Sequence, residues 1–227
     1  MSVILHIETA SKNCSVALSK SGEQLSLKEC YSHNFSHSKQ LHGFIQELLE
    51  KAQMNIADLD AVAVSMGPGS FTGLRIGVAA AKGICFALDL PLIGINSLQI
   101  LCEQYKDPKE ALLFPQFDAR RMEVYAMVLN QKKEIIKPTF SQVITAESFK
   151  EFSSDVPWIF MGEGAEKCKH VLNASHIEYR LDLKYPTARA MIGLAWQAFK
   201  SQDFEDVAYF EPFYLKDFYT TAKKIGP

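Results

Sequence analysis

Apolar runs separated by polar turns predict strands and helices in the order βββαβαβα over the first half of the chain. Residues 3–7 suit a central strand and 14–18 a second. Residues 24–31 form a third, in which Leu25 and Leu27 alternate with polar neighbours. Ser21-Gly22 supplies the hairpin turn. A helix opened by Ser36 or Ser38 follows. It carries Leu41, Phe44, Ile45, Leu48, Leu49 and Ala52 on one face and Gln46, Glu47, Glu50 and Lys51 on the other. Strand 59–64 runs into Gly67, Pro68 and Gly69, which break it. Ser70 or Thr72 then caps a helix reaching residue 88. Strand 91–95 and a helix that Ser97 caps, reaching about Tyr105, complete this half.

Lys106-Asp107-Pro108-Lys109 is a polar break that divides the chain into lobes 1–106 and 107–227. Past it the three-strand opening recurs at 111–117, 123–129 and 134–140, with a polar turn at 118–121. A helix at 146–152, a strand at 158–161, a helix at 165–172 and a helix started by Pro186 follow, with Trp196 in its core face. Residues 207–215 form an aromatic tail segment, and 217–227 a polar stretch expected to fray. The recurrence implies an α/β protein of two lobes, each a mixed βββαβα-type sheet flanked by helices, the second reduced. The C-terminal helix is free to pack back on the first lobe.

The helix at 70–88 is unusual. Gly73, Gly77 and Ala81 recur every four residues and leave a bare stripe flanked by Leu74, Val78 and Ile84. A glycine inside a helix costs roughly 1 kcal/mol relative to alanine. Such a stripe permits either close packing inside the chain's own fold or the approach of a partner helix.

Composition narrows the classes. The 227 residues are 48% apolar and 22% charged, ordinary for a globular protein. A net charge of −2 argues against unaided nucleic-acid binding. The five cysteines are scattered without a C-x-x-C pair, which indicates neither a disulfide framework nor a zinc site. With no basic leader and no run approaching about 20 apolar residues, the expectation is a cytoplasmic protein that does not span a membrane.

Candidate chemistry is sparse. No G-x-S-x-G elbow or Walker loop occurs. His33, His37 and His42 gather around the first helix start, where a solvated helix start competes with a metal pair. Glu8 and Asp118 end the two leading strands. They either face each other across a cleft, where paired carboxylates hold Mg²⁺, or simply end strands. Ser11 and Asn13 lie in a turn like a phosphate loop short of glycines. Arg120 either pairs with Asp118 or a partner's carboxylate, or belongs to a solvated turn. A carboxylate in the Gly162-Glu163-Gly164 turn repels phosphate.

Six stretches together resemble the TsaB (YeaZ) family. They are I-L-H-I-E-T-A-S-K-N-C-S-V-A-L at 4–18, S-H-S-K-Q-L at 36–41, G-P-G-S-F-T-G-L-R-I-G at 67–77, L-P-L-I-G-I-N-S-L at 90–98, D-A-R at 118–120 and P-T-A-R-A at 186–190. The resemblance covers essentially the whole chain. It implies a duplicated ribonuclease-H-like fold of the actin-like, sugar-kinase-like superfamily. It also implies a non-catalytic subunit in threonylcarbamoyl modification of adenosine 37 of transfer RNAs.

The implied partners are a paralogous TsaD-like catalytic subunit and a small TsaE-like ATPase subunit. A homodimer forms when the chain is alone, and transfer RNA is reached only through the complex. The catalytic paralogue's Asn-His-x-x-x-His arrangement reads here as Asn96, Ser97 and Leu101, which removes the metal ligands and leaves no catalytic residue. The isolated chain is thus expected to take no cofactor, with ATP or ADP and magnesium confined to the partner junction. The rivals are a metal-dependent glycoprotease-like hydrolase or transferase, and a nucleotide-binding sugar-kinase-like protein. On the docking reading, helices 38–54 and 70–88 form the surface. Gly73, Leu74, Gly77, Val78, Ala81, Leu41 and Ile45 make the contact. Gly77→Leu is then expected to keep the monomer folded while abolishing association.

Overall fold

The computed structural model describes residues 1–31 and 37–216; His33, Ser36 and the polar stretch from 217 onward lie outside the described residues. The first sheet has the order β3-β2-β1-β4-β5. Its strands are β1 (Val3–Glu8), β2 (Asn13–Lys20), β3 (Glu23–Tyr31), β4 (Ala61–Gly67) and β5 (Leu92–Asn96). The first three form an antiparallel meander, and β4 and β5 add parallel to β1.

Every residue of β1 is buried because helices cover both faces. Val3, Leu5 and Ile7 pack with α1 (His37–Lys51) and α2 (Phe71–Leu88), whereas Ile4 packs with α5 (Ala188–Ser201) through Met191 and Ala195. Ser70 caps α2 by accepting from the Gly73 amide. Thr187 caps α5 the same way from Ala190, so Pro186 precedes the cap rather than starting the helix. Trp196 is half-buried, its ring lying over Gly22 where a Cβ has no room.

The second sheet repeats the scheme in the order β8-β7-β6-β9-β10. Its strands are β6 (Leu112–Asp118), β7 (Glu123–Asn130), β8 (Ile135–Val143), β9 (Trp158–Met161) and β10 (Ile177–Arg180). Only α4 (Glu163–Lys169) covers the outer face as a helix. The helix expected at 146–152 is replaced by turns. Phe149, with φ of 68°, drives its ring into the core, edge-on to Phe114 at 5.3 Å and Phe160 at 5.5 Å. An aromatic anchor there outweighs local helix propensity. Strand β10 has no counterpart in the sequence reading.

Between the sheets lies α3 (Ser97–Cys102). Asn96, not Ser97, caps it: Oδ1 accepts from the Leu98 amide at 2.9 Å, and Nδ2 donates to Thr139 Oγ1 at 2.9 Å, tying the lobes together. Leu98, Leu101 and Cys102 join Ala10 and Leu74 to Leu113, Phe117, Ile159 and Met161 in one apolar cluster that fuses the two lobes.

Candidate functional site

The bare stripe of α2 faces inward. Thr9 Oγ1 donates to the Gly73 carbonyl at 2.8 Å, and the Ser70 amide donates to the Ala10 carbonyl at 2.6 Å. A Cβ at Gly73 lands on the Thr9 carbonyl, one at Gly77 on the Thr9 hydroxyl and one at Gly69 on the Ala10 carbonyl. These glycines exist so that the turn after β1 can lie against the helix backbone. Gly73, Leu74, Gly77, Val78 and Ala81 are all buried, as are Leu41 and Ile45 on α1. The assignment of these seven residues to a docking surface is therefore corrected: they are core, and only Ile45 reaches the floor of a surface groove.

The cleft residues do not converge either. Glu8 is wholly buried, and Oε1 accepts from the Ala10 amide at 2.7 Å. Burial pushes its carboxyl up to about 8 against the opposing pull of the Ala10 and Ser65 hydrogen bonds. A carboxyl kept neutral is a poor magnesium ligand. Ser11 Oγ accepts from the Asn13 amide at 3.2 Å, closing the turn, and Asn13 Nδ2 donates to the Pro186 carbonyl at 3.3 Å, tying the turn to the segment before α5. His37 is buried with Nε2 at 2.8 Å from the Ser11 carbonyl, while His42 is exposed.

Asp118 is exposed and paired with Lys167 at 2.6 Å, and its Oδ1 also accepts from the Arg120 amide at 2.6 Å. Arg120 thus meets Asp118 through its backbone. Ala10 of the turn after β1 belongs to the interlobe apolar cluster. These residues do not fit a nucleotide–magnesium site within the chain.

Two buried titratable groups shape stability. Glu8 holds its proton more tightly folded than unfolded, so its contribution is complete below about pH 4.5 and lost as pH rises through about 8. His6, buried with Nε2 2.7 Å from Ser19 Oγ, is pushed down from 6.5 to about 3 by desolvation. Its contribution is complete above 6.5 and lost as pH falls through about 3. Together they give a plateau between pH 4.5 and 6.5 with decline on either side. Glu8→Gln is expected to remove the alkaline decline and to stabilise the chain at pH 8.5 by on the order of a few kcal/mol relative to parent. Urea unfolding at pH 6 and 8.5 checks this; an equal pH dependence in both proteins contradicts it.

The outward face of α2 is open. Ile76, Ala79, Ala80, Gly83, Ile84 and Ala87 recur at helical spacing and line a groove of about 450 Å³ with His42 and Ile56. A second groove of about 360 Å³ adjoins it along α1, sharing His42, Ile56 and Ile84. A Cβ at Gly83 meets nothing within 4 Å, and Phe86 at the groove's edge is 85% exposed. The other flank of α2 is covered by the tail. Lys82 Nζ donates to the carbonyls of Ala208 and Phe210, Arg75 Nε donates to Tyr214 Oη at 3.2 Å, and Lys216 reaches Glu123 at 2.5 Å. By length and composition α2 passes for a membrane-spanning helix. Its polar ties to Thr9 and the tail mark it as one layer of an α/β lobe. The stripe that the sequence singles out faces inward, and the sequence alone does not say so because α2 carries small residues all round.

Two five-stranded mixed sheets of matching strand order, with flanking helices, define a two-lobed α/β protein. The family model described as TsaD, tRNA N6-adenosine threonylcarbamoyltransferase, matches residues 33–223. The tRNA threonylcarbamoyladenosine biosynthesis protein TsaB of Escherichia coli (strain K12) is 28% identical over 222 residues, covering 94% of each chain. That of Bacillus subtilis (strain 168) is 30% identical over 174 residues, covering 74% of each. The structure of YeaZ from Pseudomonas aeruginosa superposes with a TM-score of 0.80 at 27% identity, over 95% of this chain and 100% of that one. The chain belongs to the TsaB (YeaZ) family.

Proposed function

We propose that this chain is a non-catalytic subunit of the assembly that makes N6-threonylcarbamoyladenosine at position 37 of transfer RNAs, and that it docks a paralogous TsaD-like catalytic subunit. The observation that carries the docking half is the open apolar face of α2, with Ile76, Ala79, Gly83 and Ala87 at its centre and Phe86 at its rim. An apolar face flanked by small residues lets a helix of similar geometry approach closely. The same face pairs two copies of the chain when the catalytic subunit is missing. A small TsaE-like ATPase subunit joins the assembly, which works in the cytoplasm.

Chemistry by the chain alone finds no support. Ser97 and Leu101 are fully buried and are not metal ligands of the kind two imidazoles supply. Among the described residues no three His, Cys, Asp or Glu side chains converge. On this reading ATP or ADP with magnesium belongs to the junction with the catalytic subunit; the buried Glu8 and the Lys167-paired Asp118 support that assignment over a site within the chain.

Reconstitution tests the role. The catalytic and ATPase subunits with this chain are expected to modify unmodified transfer RNA at least about tenfold faster than without it, about 1.4 kcal/mol in barrier height. Equal rates contradict the proposal.

A further inference from the structure

The β6–β7 hairpin displays two arginines at a conformational cost. Arg120 and Arg121 both have positive φ, 69° and 48°, a region that asparagine and glycine occupy far more readily. Both residues are exposed. The turn is held from behind: Lys167 Nζ donates to Asp118 Oδ1 at 2.6 Å, to the Arg121 carbonyl at 2.7 Å and to the Glu123 carbonyl at 3.0 Å. The Glu123 amide closes on the Arg120 carbonyl at 3.1 Å.

The local carboxylates are already committed. Asp118 is paired with Lys167, and Glu123 with Lys216 at 2.5 Å. Neither guanidinium makes a hydrogen bond or an ion pair among the described residues. Two lysines thus neutralise the two acids nearby and leave two adjacent planar cations pointing to solvent. Sited on the second lobe, they lie outside the α1–α2 grooves. An anchored, strained turn that presents a pair of unmatched guanidiniums has the chemistry of an oxyanion receptor.

We propose that Arg120 and Arg121 contact the phosphate backbone of an RNA held by the assembled complex. This rests on the reading that the chain works on transfer RNA within that complex. Phosphate is favoured over a protein carboxylate because the pair stands apart from the proposed docking face. Backbone contact needs no sequence readout, and two forked donors on neighbouring residues suit a run of phosphates.

The test replaces Arg120 and Arg121 with Asn and Gly (R120N/R121G), residues that relax the positive φ, so the variant is expected to unfold at a higher temperature than parent. The probe is a labelled, unmodified transfer RNA transcript, titrated by fluorescence anisotropy into the complex of the chain with the catalytic subunit. Sedimentation first establishes that parent and variant assemble alike.

The variant complex is expected to bind about tenfold more weakly, with a log–log salt slope shallower by about 1 to 2, as loss of two phosphate contacts requires. Unchanged affinity and slope in an assembled complex overturn the proposal. Assembly lost while RNA binding at saturating subunit stays at the parental value overturns it in favour of a protein carboxylate. If the parent chain fails to join the catalytic subunit, it is the docking reading that falls.

Discussion

Gly83→Arg is expected to abolish association with the proposed catalytic subunit and to leave the isolated chain as stable as before. The residue lines the open groove, and a Cβ there meets nothing within 4 Å. Replacing an interior helical glycine with arginine raises helix propensity by roughly 0.8 kcal/mol, so the thermal midpoint holds or rises slightly. Docking is different. A partner helix seated on Ile76, Ala79 and Ala87 must bury the guanidinium or stand away from the groove. An unpaired buried charge costs about 3–5 kcal/mol, which weakens association at least about 100-fold. Because the variant folds, lost association reports on the surface alone.

Gly77→Leu is expected to produce the reverse outcome: it destabilises the fold itself. Its Cβ lands on the Thr9 hydroxyl, with Ile7 at 3.5 Å, and the rest of a leucine has only the buried turn after β1 to enter. The turn cannot retreat, since Thr9 Oγ1 is bonded to the Gly73 carbonyl and the Ala10 carbonyl to the Ser70 amide. Overpacking against fixed backbone is expected to cost about 4 kcal/mol or more, a large share of a typical domain's stability. Soluble yield and the circular-dichroism melt check it. A variant that melts with the parent contradicts the inward placement of the stripe. The earlier expectation that this substitution spares the monomer is thereby replaced.

Strand and helix positions were legible wherever local pattern and tertiary burial agree. β1 to β9, the Ser70 cap and α5 follow from apolar runs and polar punctuation, because both covered faces of a mixed sheet demand such runs. Legibility failed where a single long-range contact decides. Phe149 turns a helix-like stretch into a strained turn by filling the second core. Asn96 displaces Ser97 as the α3 cap because it also reaches Thr139 on the other lobe.

The face of α2 was unreadable for a related reason. A helix with glycine or alanine at 73, 77, 79, 80, 81, 83 and 87 offers two smooth faces, and only the neighbouring β1 turn selects which one goes inside. Glu8 and Asp118 were correctly placed at strand ends. What each then meets is decided by tertiary contacts: the Ala10 amide and Ser65 for Glu8, and Lys167 for Asp118.

The most direct measurement is sedimentation velocity of the catalytic subunit mixed with equimolar parent or Gly83→Arg chain at micromolar concentration. The account predicts a single faster boundary with the parent and two separate, uncomplexed boundaries with the variant. A complex of equal size and affinity from both would show that the outward face of α2 is not where the partner sits.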